Sequence, residues 1–341
     1  MFRFLQLPLL CIQEVTDQWD VLEIYNFSLL SKRAKKVAKR NKMGNLTLDF
    51  DFRFRSLTFR KNGEAYPELV FEENRFQRRW GIRSFSDVPS FLEATQHFLD
   101  VFKCHFEYVR FELKDTLYRE TPILLNNWLN GLKTDIKKVV IDSTTQRMFE
   151  LFMNGFNRNI EDLSVYGDLN SESVTRSNFE IKHSFNSNSS FIKLDLLLNI
   201  DTKIIELGHT NLEAKEMNKF LRSWQEGKTN HKLKLFKFTF YIREDMKEVL
   251  KDCGAEIMDP RTTKLKSWTL DQGYIWRYGG IHIRRNDGRL AVIQTDQYEY
   301  STEHEDTDPR QLQRYLKALE IWNSEDTSDL WEEREFTVYI F

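Results

Sequence analysis

The sequence has little of several residue types that mark common classes of protein. Its 341 residues include three cysteines, six prolines and 13 glycines. Three cysteines far apart argue against a disulfide framework, and the scarcity of proline and glycine argues against long disordered linkers. No apolar run reaches the roughly 18 residues that cross a bilayer, and Gln6 and Pro8 interrupt the apolar N-terminus, unlike a signal peptide. These absences predict a cytoplasmic or nuclear protein with no membrane partner.

An excess of charge of one sign is missing as well, since the formal net charge is −2. A nearly neutral chain gives no electrostatic reason to expect a nucleic-acid partner. The basic run at 32–42 has no interleaved aromatic residues, so we interpret it as the solvated face of a helix.

Motifs for chemistry are also missing. The sequence contains no phosphate-binding loop, GxGxxG fingerprint, CxxC, HExxH or GxSxG. His97, Cys104 and His105 form the nearest approach to a metal cluster, but no fourth ligand lies nearby in the sequence. We therefore expect no metal, no cofactor, no catalytic residue and no enzymatic activity.

The first 45 residues, in contrast, carry more apolar side chains than so short a segment can bury alone. Pro8 suits the first turn of a helix, and Asp20 with Glu23 has the spacing of a capping box. A third helix is expected from about Ser31. Such a segment either packs onto the rest of the chain or completes its core on a partner, and we favour the partner.

The same segment resembles the F-box, the module by which substrate receptors dock on the Skp adaptor of a cullin–RING ubiquitin ligase. The resemblance rests on the Leu7-Pro8-Leu9 opening, on apolar residues at helical spacing and on the Leu29-Leu30-Ser31-Lys32-Arg33 close. It implies that residues 1–45 hold a Skp-type adaptor and, through it, a cullin. The adaptor-binding residues that it implies are Leu7, Pro8, Leu9, Ile12, Val15, Leu22, Ile24, Leu29 and Arg33.

From residue 46 onward, strand-like and helix-like patterns follow one another. Strict alternation of apolar and polar residues at 46–54 predicts a half-buried strand, with a turn at 61–63 and a return strand at 68–72. Further strands are predicted at 108–113, 139–141, 163–166, 204–207 and 233–238. Helices are predicted at 87–102, 121–132, 145–154, 212–225 and 243–251.

This order predicts stacked strand–helix units with a parallel sheet at about 104–252, resembling an irregular leucine-rich-repeat array. A compact α/β layer with the same connectivity is the alternative. The Ser/Asn-rich residues 170–190 are expected to be a loop. Residues 262–341 are expected to hold a β-hairpin region and a helix at 309–322. The sequence thus predicts an α+β/α/β protein with an F-box at 1–45 and a substrate-binding region at 46–341.

Two later stretches resemble the type 2 F-box-associated domain, which is known mainly from a large nematode group of F-box proteins. The first is a helix at 218–227 that ends in Trp and Gly and precedes a Leu-rich strand at 233–236. The second is the hairpin sequence at 281–291. We expect Gly227 to follow the end of the helix and Trp224 to lie under the sheet.

Together the resemblances imply a substrate-recognition subunit of a Skp–cullin–F-box ubiquitin ligase with an unidentified protein target. A ligase-independent interaction scaffold is the alternative, and a small-molecule receptor using Tyr274, Trp276 and Tyr278 is a third hypothesis. Stacked strand–helix units leave one sheet face free of helices, so we expect the target to bind outward polar positions of the strands. The predicted target-binding residues are Arg110, Glu112, Ser164, Glu206, Lys234 and Lys237.

Overall fold

The chain packs into two compact units. The computed structural model describes residues 4–40, 43, 46–61, 64–65, 69–72, 75–78, 88–112, 120–142, 145–167, 179–188, 192–269, 273–324 and 330–341. The first unit comprises Met1–Ser143 with Gly155–Ile160, and the second comprises Thr144–Asn154 with Glu161–Phe341. The predicted boundary at residue 45 falls inside the first unit.

The first unit combines helices with a mixed sheet. A short 3-10 helix, Phe4–Gln6, precedes α1 (Leu9–Thr16), α2 (Val21–Leu29), α3 (Lys32–Ala38), α4 (Val88–Phe102) and α5 (Glu120–Gly131). The strands are β1 (Leu46–Asp51), β2 (Ser56–Lys61), β3 (Glu64–Ala65), β4 (Leu69–Glu72), β5 (Arg75–Arg78), β6 (His105–Glu112) and β7 (Ile136–Asp142). They lie in the order β7-β6-β1-β2-β4-β5, with β3 on β2. Strands β7, β6 and β1 are parallel, and β1 and β2 are antiparallel.

Strand β1 shows the alternation that the sequence predicts. Leu46, Leu48 and Phe50 are buried while the residues between them are partly exposed. The predicted pairing of β1 with residues 68–72 is wrong, because β2 pairs with β1 after a turn over residues 52–55. Arg55 adopts a positive φ of 49° in that turn, which a sequence pattern does not reveal for an arginine.

The second unit continues the succession of helices and strands. Its helices are α6 (Gln146–Gly155, apart from its last residue), α7 (Leu194–Asn199), α8 (Ala214–Gln225), α9 (Met246–Val249) and α10 (Pro309–Asn323). Its strands are β8 (Ile160–Tyr166), β9 (Ile181–Asn188), β10 (Ile204–Thr210), β11 (Leu235–Asp245), β12 (Glu256–Met258), β13 (Lys264–Thr269), β14 (Gly273–Tyr278), β15 (Gly280–Arg284), β16 (Leu290–Gln294) and β17 (Glu332–Ile340). Strand β8 begins at the last residue of the first unit.

The sheet of the second unit has the strand order β8-β9-β10-β11-β17-β16-β15-β12, and β13 pairs with β14 separately. Strands β9, β10 and β11 are parallel, as expected for successive strand–helix units. From β17 onward the neighbours are antiparallel. The predicted architecture is confirmed in its coarse form: N-terminal helices, then mixed sheets with helices, then a C-terminal hairpin.

Alternation along β11 separates a core face from an open face. Phe236, Phe238 and Phe240 are fully buried, and the ring of Phe236 lies 4.7 Å from that of Phe220 on α8. Lys237, between them, is exposed. Helix α8 therefore covers one face of this strand and leaves the opposite face to solvent.

The prediction that residues 170–190 form a loop is wrong for their described part. Strand β9 occupies 181–188 and pairs with β10, with Ile181 and Phe185 buried. Ser184 and Ser187 are buried too, since small side chains fit a covered strand. Serine and asparagine normally favour turns, so composition alone gave the wrong assignment. Residues 170–178 and 189–190 lie outside the described residues.

The predicted helix at 243–251 begins later and is shorter than expected. Strand β11 runs to Asp245, pairing there with β17, and α9 spans only Met246–Val249. The Asp245 side chain accepts a hydrogen bond at 3.0 Å from the backbone N–H of Lys247 and so caps this helix.

Helix α10 forms close to the predicted bounds, and its buried face includes a polar residue. The buried residues are Gln311, Ala318 and Ile321, whereas Leu316 is 51% exposed. Gln311 is held inside by hydrogen bonds to the Tyr300 hydroxyl at 2.8 Å and to the Tyr278 carbonyl at 3.1 Å. Because its hydrogen bonds are satisfied inside the protein, a polar residue occupies part of the buried face of this helix, which apolar periodicity alone does not indicate.

The C-terminus of α8 forms as predicted. Gly227 has a φ of 71° and donates its backbone N–H to the Trp224 carbonyl at 3.0 Å. The backbone N–H of Lys228 donates to the Ser223 carbonyl, also at 3.0 Å. This pair of bonds is the Schellman arrangement that ends many helices. Trp224 is 1% exposed, which confirms its predicted burial.

We predict that Trp224→Ala lowers the free energy of unfolding by about 3–5 kcal/mol, the usual cost of emptying a large buried aromatic site. Chemical denaturation followed by circular dichroism measures the change. Tyr241→Ala is the control, because Tyr241 is 65% exposed and its loss is expected to cost about 0.5 kcal/mol or less. An unchanged midpoint for Trp224→Ala would contradict the structural role of this residue.

Candidate protein-docking surfaces

The N-terminal helices begin at the caps that the sequence indicates. The Asp20 side chain accepts the N–H of Glu23 at 2.9 Å, and the Glu23 carboxylate accepts the N–H of Asp20 at 2.8 Å. The predicted capping box of α2 is thereby confirmed. Ser31 caps α3 by accepting the N–H of Ala34 at 3.1 Å. These local bonds fix where each short helix starts.

An apolar core lies among the three helices. The ring of Trp19 lies 5.7 Å from that of Phe4 and 5.1 Å from that of Phe27. Ile12 and Ile24, both implied as adaptor contacts by the resemblance, are each 1% exposed. In this structure they belong to the core of the helices rather than to the surface, and their adaptor-binding role stays a prediction.

Helices α2 and α3 also pack against α4 in the first unit. The Tyr25 ring stacks on Phe98 with centroids 5.6 Å apart. The Lys35 ammonium lies 3.2 Å from the Asp100 carboxylate. Because both helices contribute to this interface, the helical segment and α4 share one core.

His97 on α4 completes the junction through a chain of hydrogen bonds. Burial and the nearby Lys35 ammonium lower the pKa of His97, so the ring is neutral at neutral pH. Its Nδ1 lies 3.3 Å from the Lys35 ammonium and its Nε2 lies 2.7 Å from the Ser28 hydroxyl. Because an ammonium can only donate, Nδ1 is the acceptor and Nε2–H donates to Ser28. Ser28 in turn donates to the Tyr25 carbonyl at 2.6 Å.

Five large apolar side chains remain exposed on these helices, and we call them the exposed apolar set. Their exposed fractions run from 42% to 76%, and the members are Leu9, Leu10, Val15, Leu29 and Leu30. Leu10 and Leu30 were not predicted. Each follows another leucine in the sequence. Consecutive side chains on a helix point about 100° apart, so two adjacent leucines do not both face the centre of one core. A Leu-Leu pair is therefore the sequence signal that could have predicted these exposed residues.

The remaining predicted adaptor residues lie at or near the surface. Pro8 and Arg33 are exposed, and Leu7 and Leu22 are partly exposed. Their binding role stays a prediction.

We predict that Tyr25→Ala destabilises the first unit as a whole, by about 3 kcal/mol, because it removes a buried ring from the interface with α4. A thermal melt measures the effect. Asn26→Ala is the control, since the Asn26 side chain is exposed on the same helix. If Tyr25→Ala melted like the control, the helices and α4 would not share a cooperative core.

A second surface lies on the open face of the sheet in the second unit. A groove of about 330 Å³ contains Glu206 of β10 and Lys237 of β11, which are register partners on these parallel strands. Lys234, just before β11, lines a neighbouring cavity of about 650 Å³. Glu206 and Lys237 are therefore side by side in the groove, and Lys234 lines the cavity next to it; their binding role stays a prediction.

The other three predicted target residues lie elsewhere. Ser164 on β8 is 1% exposed and both its neighbours are fully buried, so its predicted exposure is wrong. Strand β8 is covered on both faces, which simple alternation does not anticipate. Arg110 and Glu112 belong to the first unit, where they form ion pairs with Asp142 and Arg53.

The aromatic residues near 274–278 divide between core and surface. Tyr278 is fully buried and stacks on Tyr300 with centroids 3.9 Å apart. Tyr274 is exposed and lines the larger cavity. Tyr278 therefore has a packing role, and Tyr274 is available to a ligand.

Gln225, at the end of α8, joins the two stretches that carry the second resemblance. Its side-chain amide donates to the Cys253 carbonyl at 2.8 Å and to the Arg284 carbonyl at 3.0 Å. The backbone N–H of Asn286 returns a bond to the Gln225 carbonyl at 2.9 Å. The helix at 218–227 and the hairpin at 281–291 are thus parts of one local structure.

Within the described ranges, no group of three or more His, Cys, Asp or Glu side chains could hold a metal ion. None of the helices that the structure describes is long and apolar enough to cross a membrane.

Comparison with known proteins finds a family model that matches part of this arrangement. The family model described as F-box associated matches residues 170–238, which include β9, α7, β10, α8 and the start of β11. An uncharacterised protein of Caenorhabditis elegans is 20% identical to this chain, over an alignment that covers 88% of this chain and 77% of that relative. No solved structure matches the chain.

The family match bears out the second resemblance over residues 170–238, the stretch that contains α8 and the start of β11. The similarity to a Caenorhabditis elegans protein agrees with the nematode group that the resemblance names.

Proposed function

We propose that the chain is a non-enzymatic substrate receptor of a Skp–cullin–F-box ubiquitin ligase. In this role the N-terminal helices hold the Skp-type adaptor, and the open sheet face of the second unit holds a protein target. The receptor then acts through proximity, since it raises the effective concentration of a target lysine near a conjugating enzyme. The family match supports a role in protein interaction.

The exposed apolar set is the observation that carries the adaptor proposal. Five large apolar side chains remain in solvent on three short helices, although these helices already have a core of their own. Concentrated apolar exposure on a folded protein marks an interaction surface more often than isolated exposed residues do. A helical adaptor with a complementary apolar groove would cover these side chains.

A ligase-independent interaction scaffold is the second candidate. The groove and the cavity on the open sheet face favour it, because a target can bind there without any adaptor. The two candidates differ in one measurable property, which is capture of the adaptor.

We predict that Leu9→Ala with Leu29→Ala weakens binding of a purified Skp-type adaptor by about 2 kcal/mol or more, or roughly 30-fold in Kd. Both residues are exposed, so the fold is expected to be retained. Isothermal titration calorimetry and co-purification measure the loss.

Leu316→Ala with Leu330→Ala is the matched control. These leucines are 51% and 54% exposed, comparable to Leu29 at 51%, but lie in the second unit. If both double variants bound the adaptor with equal affinity, the exposed apolar set would not be the adaptor-binding surface. If the unaltered protein captured no adaptor, the ligase proposal would fail and the scaffold would be favoured.

A further inference from the structure

We propose that the open sheet face of the second unit binds an extended polypeptide segment whose charge changes sign along its length. The acidic part of this segment lies in the lysine-lined cavity, and its basic part lies in the adjoining groove. This inference rests on the proposed target-binding role and names the chemistry of the target.

The cavity is cationic. Its volume of about 650 Å³ is within the range of ligand sites. Lys203, Lys234 and Lys266 line it, and the side chains that line it in the described part of the chain include no carboxylate. The backbone N–H of Lys234 donates to the Lys203 carbonyl at 2.8 Å, so these two residues are held side by side.

An aromatic ring lies beside these charges. The Lys266 ammonium lies 5.0 Å from the centroid of the exposed Tyr274 ring. A ring of this kind offers apolar contact to a ligand whose charged groups pair with the lysines. The cavity therefore suits a chain that carries carboxylates on partly apolar stems, such as glutamate side chains.

The groove has the opposite balance of charge. Glu206, Asp296, Glu299 and Glu335 line it, against the cations Lys237 and Arg277. Arg277 is paired with Glu299 at 2.7 Å. Asp296 accepts the backbone N–H of Tyr298 at 3.3 Å and Glu299 is engaged by Arg277, so we assign contact with a ligand chiefly to Glu206 and Glu335. Basic side chains of a ligand are expected here.

The cavity and the groove adjoin. Leu235 of β11 and Tyr339 of β17 line both of them, and these two residues are register partners across the antiparallel strands. A single segment that crosses this pair contacts the lysines on one side and the carboxylates on the other.

The same change of charge argues against a nucleic acid. A nucleic-acid backbone carries negative charge at every step, so any strand long enough to leave the cavity would meet the carboxylates of the groove. A polypeptide can change its charge within a few residues. Charge complementarity therefore favours a polypeptide occupant.

Fluorescence anisotropy with labelled peptides tests the proposal. Each probe joins a Glu/Asp-rich half to a Lys/Arg-rich half, and the two orders of the halves are compared with a peptide in which Gln replaces every charged residue. We expect one order to bind at least about tenfold more tightly than the Gln peptide. Lys203→Glu with Lys234→Glu is expected to weaken that binding by about tenfold or more.

Lys215→Glu with Lys219→Glu is the matched control, because it changes the net charge equally at exposed positions of α8. It is expected to bind the peptide almost as the unaltered protein does. The charge-reversed variant that combines Lys203→Glu and Lys234→Glu with Glu206→Lys and Glu335→Lys is expected to prefer the opposite order of halves. Thermal melts of every variant exclude loss of the fold as the cause.

Three results would overturn the inference. The first is an equal loss of peptide affinity in the Lys203→Glu, Lys234→Glu variant and in its control. The second is tight binding of the Gln peptide, and the third is tighter binding of a labelled oligothymidine than of either charged peptide. Adaptor capture separates this failure from that of the proposed function. The Lys203→Glu, Lys234→Glu variant is expected to capture the adaptor normally. If the peptides fail to bind while the adaptor is still captured, only the proposed peptide site is overturned. If the peptides bind but the adaptor is not captured, only the ligase role is overturned.

Discussion

The second unit depends on the way α8 ends. Gly227 has a positive φ there, and a Cβ at this position would lie 3.1 Å from the Arg285 guanidinium. The carbon of that guanidinium lies 5.9 Å from the centroid of the Trp224 ring. Gln225 bonds to the Arg284 carbonyl in the same place. One helix end thus fixes the hairpin of β15 and β16, which in turn lies beside β17 and the open face.

Local signals explain the parts of the fold that the sequence predicted well. The capping box of Asp20 and Glu23 and the helix end at Gly227 involve residues only a few positions apart, so spacing alone identifies them. Strand β17 was not predicted, because its place depends on partners far away in the chain, β11 and β16. Its first half is also rich in charge, which hides the alternation that Phe336 and Val338 show once they are buried.

The exposed residues of the candidate surfaces could be predicted where the two-residue alternation of a strand separates a buried face from an exposed one. Alternation placed Glu206 and Lys237 correctly outside the core because strands β10 and β11 have one covered face and one open face. Ser164 was misplaced because β8 is covered on both faces. On the N-terminal helices, a family pattern marks apolar positions without separating core from surface, so Ile12 was grouped with Leu9 although only Leu9 is exposed.

The position of β17 in the sheet has a consequence for how the protein is made. This strand lies between β11 and β16, yet it follows all the other described strands along the chain. Until it emerges from the ribosome, β11 and β16 keep unpaired edges that invite pairing with other chains. Tyr339, which lines both the cavity and the groove, arrives with it. A chain whose translation stops before β17 can present its N-terminal helices but no finished face for a target.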